Sequence, residues 1–183
     1  EALSVVLEAL HTRKIKHDGA NYRHDVTGDY EIFPASVQQP HPPLYMAAGS
    51  ERSIAFAARH GFGLMLSTLP SFETLAGQTA FYREKMKDAP EKWTRNPAFG
   101  QIDQARWVYV AETDAKARRE AAPHMEALAI NLLNMSTDML LPPGYTSIAS
   151  LKNVRKHRGS LSPQQTIESL MEKEIIIVGS PDT

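Results

Sequence analysis

Leu3, Val6, Leu7 and Leu10 recur at spacings of three and four, the stripe of a helix that buries one face, so a helix is expected over residues 1–13. The pattern then stops. Gly19, Gly28 and Pro34 punctuate the stretch from His17 to the proline-rich segment ending at Pro43, which predicts extended or looped chain with short edge strands around Tyr30 to Phe33. Leu44 to Ala48 is apolar without polar alternation, as in a parallel strand covered on both faces. Gly49 and Ser50 end that run. From Glu51, the positions Ile54, Ala57 and Ala58 mark a helix that closes at His60 and Gly61, with Gly61 as its left-handed C-terminal cap. Phe62 to Leu66 is apolar again. Strand, turn, helix and strand within about 25 residues predict a compact βαβ unit with parallel strands.

Phe72, Leu75, Ala76, Thr79 and Tyr82 predict the next helix, reaching about Lys87, followed by a loop from Ala89 to Gly100. A third strand is expected over Ala105 to Ala111, a parallel neighbour of 44–49 and 62–67. Thr113 or Asp114 can cap a long helix with Ala121, Met125, Leu128, Leu132 and Leu133 on its buried face and an irregularity at Pro123. The alternation breaks beyond it. Leu141-Pro142-Pro143-Gly144-Tyr145 cannot continue a helix, and 136–161 is expected to be an insertion or mobile loop. Ser162 as cap, Pro163 in the first helical position and Gln165 three after the cap start a short helix through Ile167, Leu170 and Met171. Ile175 to Thr183 reads as a short strand or extended segment, then a helix start at Ser180-Pro181-Asp182.

Composition narrows this picture. At 183 residues the chain has the size of one domain but falls short of the roughly 200 to 250 residues of a complete (β/α)8 barrel. Hydrophobic residues at 42% and charged residues at 22% exclude a disordered or collagen-like chain. A formal charge of -1 gives no electrostatic reason for binding nucleic acid or an anionic membrane. Cysteine is absent, which excludes disulfides, thiolate metal sites and a cysteine nucleophile. The apolar runs, such as Leu44 to Ala48 and Ile175 to Val178, are strand-sized, and no signal peptide is expected. A cytoplasmic protein is expected, and both ends of the chain read as cut.

The turn Gly49-Ser50-Glu51-Arg52-Ser53 joins a buried strand to a helix N-terminus, where unpaired N–H groups and the positive end of the dipole favour an anion. Gly49 lets a phosphate approach, and Ser50 and Ser53 can aim hydroxyls at it. Simple capping by Ser50 explains the same residues, and spacing alone leaves both readings open. His17, His24 and His41 have no recognised metal spacing, and no metal is expected. The basic run Lys152 to Arg158 reads as a solvated loop face, with contact to a substrate or cofactor anion as the alternative.

Lys16-His17-Asp18-Gly19-Ala20-Asn21-Tyr22, the segment Pro34 through Ser50, and Ala57-Ala58-Arg59-His60-Gly61 together resemble the central region of the bacterial luciferase-like flavin-dependent monooxygenases. Val110 to Arg118, Pro142 to Tyr145 and Val178 to Asp182 are similar to later segments of that family, so the resemblance runs over nearly the whole chain. It implies an α/β chain forming part of a (β/α)8 TIM-type barrel, with three convincing strands resembling the fifth, sixth and seventh, in one incomplete domain over 1–183. It further implies reduced FMN as cofactor, with O2 oxidising a small organic substrate, and a flavin reductase as partner. Gly49, Ser50 and Ser53 are the implied cofactor-phosphate residues. No catalytic residue is assigned, because the family's ring contacts come largely from strands this chain lacks. A deazaflavin-dependent relative and a noncatalytic flavin-binding or dimerisation module are the alternatives. Uncovered barrel faces and sheet edges imply association with another copy, as a homo-oligomer, or with the rest of the barrel.

Overall fold

The computed structural model describes residues 1–25, 30–133, 148, 151–152 and 166–183. They form two compact units, one of Glu1–Leu66 with Gly77–Asp103 and one of Ser67–Ala76 with Gln104–Thr183. The expected insertion at 136–161, the Pro142–Tyr145 segment, the cap at Ser162 and the basic run after Lys152 lie largely or wholly outside the described residues.

In the first unit, helix α1 (Ala2–Thr12) is followed by a short antiparallel pair, β1 (Lys16–Asp18) and β2 (Arg23–Asp25), with His17 opposite His24. The short strands expected at Tyr30 to Phe33 are thus found earlier in the chain. Tyr30 and Phe33 are instead among the most exposed aromatics, and Ile32 N–H bonds the Arg13 carbonyl at 2.8 Å. The apolar stripe of α1 is only half-buried, with Val6 exposed.

What ties α1 to the pair is polar. The Glu1 carboxylate accepts hydrogen bonds from Tyr22 N–H at 2.8 Å, Asn21 N–H at 3.1 Å, Asn21 Nδ2 at 2.7 Å and His17 Nε2 at 3.1 Å. The Tyr22 N–H above all, with His17 and Asn21, favours the charged form and lowers the Glu1 pKa to about 2. Because the folded value lies below the unfolded one, this contribution to stability is present above the ordinary carboxylate pKa and is lost as pH falls toward 2. An acid titration followed by NMR should show the Asn21 and Tyr22 amides moving together with a midpoint near 2, and Glu1→Gln should abolish that transition. A midpoint in the ordinary carboxylate range would contradict the arrangement.

Strand β3 (Tyr45–Ala47), helix α2 (Glu51–Arg59) and strand β4 (Gly63–Leu66) form the expected βαβ unit. β3 and β4 are parallel, with Tyr45 opposite Gly63 and Ala47 opposite Met65. Ile54, Ala57 and Ala58 are buried, the two alanines letting the helix backbone approach the sheet. Gly61 has φ 73°; its N–H bonds the Ala58 carbonyl at 3.2 Å and the Phe62 N–H bonds that of Ala57 at 3.0 Å. These are the two bonds of a Schellman end. Helix α3 (Phe72–Met86) places Tyr82, fully buried, where its hydroxyl donates to the Phe62 carbonyl at 2.5 Å and accepts the Gly100 N–H at 3.3 Å. A 3-10 turn (Glu91–Trp93) opens the following loop.

The third expected strand, 105–111, is present as β6 (Trp107–Val110), but its expected neighbour is corrected: β6 pairs with β7 (Ile176–Gly179), and a further strand before it, β5 (Ile102–Gln104), lies beside β4. Ala105 and Arg106 separate β5 from β6, so adjoining residues serve two sheets. β6 and β7 are parallel over four residue pairs, Trp107 opposite Ile176 through Val110 opposite Gly179. The C-terminal segment is therefore a paired strand and adds to the three counted from sequence. After it, at the expected helix start Ser180-Pro181-Asp182, Thr183 N–H closes a turn onto the Ser180 carbonyl at 3.1 Å.

The second unit packs helix α4 (Asp114–Leu133) and helix α5 (Ile167–Glu172) around one cluster: Ala117, Ala121, Ala129, Ile167, Leu170, Ile175, Ile176 and Val178. Thr113 caps α4, its hydroxyl accepting from Lys116 N–H at 3.2 Å. Pro123 is accommodated inside the helix. Leu128, expected to be buried, is exposed, because the buried line runs through 117, 121, 125 and 129 at a spacing of four. Thr166 caps α5 through Ser169 N–H. Asp114 instead accepts from Ser180 N–H at 2.7 Å and Thr183 Oγ1 at 2.8 Å, which hold its carboxyl below the ordinary carboxylate range. At the far end of α5, Glu174 takes φ 59°, a left-handed conformation that costs a non-glycine residue roughly 1 to 2 kcal/mol.

Candidate functional site

The turn from β3 into α2 carries the residues singled out for phosphate, and the structure brings Ser50 and Ser53 together. Ser50 is the N-cap, with φ -93° and ψ 150°, and its hydroxyl accepts from Ser53 N–H at 3.2 Å. Ser53 reciprocates: its hydroxyl accepts from Ser50 N–H at 3.2 Å and donates to the Ser50 carbonyl at 2.9 Å. The two hydroxyl oxygens are 2.7 Å apart. The capping reading is therefore realised in full by a serine pair, with Ser53 in the place usually taken by glutamate or glutamine.

The cap leaves donors over. Gly49, Glu51 and Arg52 N–H have no hydrogen-bond partner among the described residues, and Ser50 and Gly49 are exposed. A Cβ built on Gly49 would meet nothing closer than Gln78 Nε2 at 3.9 Å, so the space beside this backbone is open. Gln78, from α3, donates to the Gly49 carbonyl at 2.8 Å, which steadies the turn and keeps that carbonyl from a ligand. Its Oε1 is buried without a partner. Gln78 has no signal in the local pattern, since only the packing of α3 brings it to Gly49. Three unpaired N–H groups at the positive end of a helix, beside a serine hydroxyl, can hold one multiply charged oxyanion. Glu51 in the first turn offsets part of the dipole, whereas exposed Arg52 supplies a mobile cation alongside.

Four of the seven histidines have partners within the fold. His17 bonds Glu1, His24 stacks near Tyr22, buried His41 bonds the Pro42 carbonyl through Nδ1, and His60 bonds that of Phe56 at 2.9 Å. Among the described residues no three acidic or histidine side chains are placed to hold a metal ion. Nor is any described helix long and apolar enough to cross a membrane.

Comparison with known families gives a match to the luciferase-like monooxygenase model over residues 1–183. The chain belongs to the luciferase-like monooxygenase family. Solved structures agree on the fold. Monooxygenase RslO1 from Streptomyces bottropensis superposes with a TM-score of 0.56 at 19% identity, covering 98% of this chain and 45% of that one. The oxygenating constituent of 3,6-diketocamphane monooxygenase from Pseudomonas putida, a type II Baeyer-Villiger enzyme solved in complex with FMN, gives 0.57 at 14% identity, covering 99% of this chain and 48% of that one. DmoA from Hyphomicrobium sulfonivorans gives 0.53 at 18% identity over 93% of this chain and 38% of that one. No curated protein matches the sequence. The chain spans less than half the length of each of these structures; it is a part of the (β/α)8 barrel of its family, with parallel strands flanked by helices.

Proposed function

We propose that residues 1–183 are the phosphate-gripping portion of one barrel domain in a cytoplasmic, flavin-dependent monooxygenase that oxidises a small organic substrate with reduced FMN and O2. The observation that carries this is the set of unpaired N–H groups at Gly49, Glu51 and Arg52, next to the Ser50 hydroxyl and open space. That arrangement fits the terminal phosphate of FMN. It also stands at the C-terminal end of a parallel strand, where barrels of this kind carry their ligands.

In this reading the turn binds and orients; it moves no proton. Ser50 can rotate its hydroxyl from Ser53 to the phosphate while its oxygen still accepts Ser53 N–H, so the cap survives binding. Gln78 holds the Gly49 carbonyl back, leaving the N–H face toward the anion. Bound flavin supplies the electrons with which O2 is activated, and a flavin reductase restores it. The catalytic groups belong to the rest of the barrel.

The test uses the intact protein. Well-aligned charge-assisted bonds contribute roughly 1.5 to 3 kcal/mol each, so replacing Ser50 and Ser53 together by alanine should weaken FMN at least about tenfold and riboflavin, which lacks the phosphate, much less. Ser50→Asp separates phosphate from fold. Aspartate caps as well as serine but places a carboxylate against the phosphate, so FMN affinity should fall while the melting temperature holds. Equal weakening of FMN and riboflavin would refute the assignment. Tight binding of FMN with no turnover of O2 in the intact protein would favour a noncatalytic flavin-binding module.

A further inference from the structure

Gln78 reaches the β3–α2 turn from another helix, and the packing of α3 explains how. Tyr82, one turn later on the same face, is fully buried, and its hydroxyl donates to the Phe62 carbonyl at 2.5 Å and accepts the Gly100 N–H at 3.3 Å. Position 78 shares that face at a spacing of four. Its amide nitrogen Nε2 meets the turn there and donates to the Gly49 carbonyl at 2.8 Å. All of these residues belong to the first compact unit.

The Gly49–Ser50 peptide is consequently held at both of its polar ends. Gln78 takes the carbonyl, and Ser53 Oγ accepts the Ser50 N–H at 3.2 Å. Among the described residues that carbonyl has no other partner. Nothing steric replaces the bond, because glycine leaves the adjoining torsion free and a Cβ there would meet only Gln78 within 4 Å. In chain order the peptide lies between the unpaired N–H groups of Gly49 and Glu51. A rotation of its plane would exchange the directions of C=O and N–H, breaking the Ser50 arm of the cap and setting a carbonyl dipole among donors that an anion needs. Gln78 opposes that rotation while carrying a penalty of its own, since Oε1 is buried with no partner. An apolar side chain of the same length would fill the space without it.

We propose that Gln78 is a positioning residue that sets the preference for a phosphorylated flavin over the unphosphorylated one: it fixes the Gly49–Ser50 peptide so that the donors of the turn converge on the terminal phosphate. The proposal deepens the FMN reading above and rests on it. Gln78 acts through the peptide and touches neither the flavin ring nor the substrate. Its effect is therefore read in affinity.

The experiment uses the intact protein and compares wild type with Gln78→Met, Gln78→Glu and Ser50→Asp. Methionine keeps the length of glutamine and removes both the donor and the orphaned oxygen, so the melting temperature should hold. Hydrogen exchange is read at the Ser50 amide without flavin, and FMN and riboflavin affinities by fluorescence titration. Losing one hydrogen bond should speed exchange at Ser50 about fivefold in Gln78→Met and weaken FMN by a similar factor, with riboflavin unchanged. Gln78→Glu adds a pH profile. An ionised carboxylate cannot donate and opposes both the carbonyl and the phosphate, whereas a protonated one donates as the amide does. Relative to wild type at the same pH, its FMN affinity should be lowest at neutral pH and recover on acidification; Glu51 and Arg52, the charged residues of the turn, are common to both proteins and cancel. Unchanged FMN affinity in Gln78→Met would overturn the proposal, as would equal weakening of both ligands, and unchanged exchange at Ser50 would overturn the route through the peptide. Ser50→Asp separates the two readings. Selective loss of FMN there with none in Gln78→Met strikes Gln78 alone, while equal loss of FMN and riboflavin in Ser50→Asp strikes the phosphate assignment and this proposal with it.

Discussion

Gly61→Ala is expected to destabilise the protein by roughly 3 to 5 kcal/mol, measured as a shift in the urea midpoint at constant slope. Two separate costs add. The φ of 73° is left-handed, a region that costs alanine about 1 to 2 kcal/mol. The new Cβ would also lie 1.9 Å from the Trp93 carbonyl oxygen and 2.7 Å from its carbon, and backbone cannot rotate away as a side chain can. Asparagine tells the two apart. It tolerates the left-handed region but carries the same Cβ, so Gly61→Asn should recover only the smaller, conformational part. A loss below about 1 kcal/mol for alanine, well under the cost of a true steric overlap, would mean that the close approach of the Trp93 loop is absent in solution.

Gly61 was legible because its role is local. A buried alanine pair, a histidine and a glycine in sequence announce the end of α2 without any knowledge of the rest of the chain. The same holds for 44–48 and 62–66, whose unbroken apolar runs mark parallel strands, and for Ser50, whose cap is set by the four residues after it. Legibility fails where a residue's partner is distant. The run 105–111 has the composition of one strand and holds β6, but composition cannot report that the polar residues just before it, 102–104, lie beside β4 while β6 itself lies beside β7.

Leu128 misleads for a related reason. Leucine on a helix suggests burial, but the surface that α4 covers is set by how close β7 and α5 come, and alanines 117, 121 and 129 occupy that contact. In the site, Gly49, Ser50 and Ser53 were visible as a strand-to-helix turn. Gln78 was not, because it acts on backbone 29 residues away in sequence, and no spacing rule links a side chain to a distant carbonyl.

Asn96 is the extreme case of such a residue, and its replacement carries the other large expected effect. It is buried at 8% exposure. Nδ2 donates to the Leu44 carbonyl at 2.8 Å and the Gly61 carbonyl at 2.7 Å, while Oδ1 accepts from Leu44 N–H and Ala98 N–H, both at 3.1 Å. One amide thereby ties Leu44, just before β3, to Gly61, just past the cap of α2, and so fixes the two ends of the segment that presents the Gly49–Ser53 turn. Asn96→Ala leaves Leu44 N–H, Ala98 N–H and the Gly61 carbonyl without this partner, while the Leu44 carbonyl keeps the Gly63 N–H; at about 1 to 3 kcal/mol for each group that water cannot reach, a loss of roughly 3 kcal/mol or more is expected. Asn96→Asp still accepts from the two N–H groups but faces a carboxylate with two carbonyls, which raises its pKa in the folded state. The sign then follows. A raised folded pKa gives stability that is present below the unfolded value of about 3.9 and lost as pH rises through the folded one, so the deficit of Asn96→Asp against wild type should shrink on acidification and reach its maximum at neutral pH. A deficit independent of pH would place the introduced carboxylate in water and break the link between the two strands. Because Asn96 and Gly61 share a hydrogen bond, the Gly61→Ala and Asn96→Ala losses should combine to less than their sum.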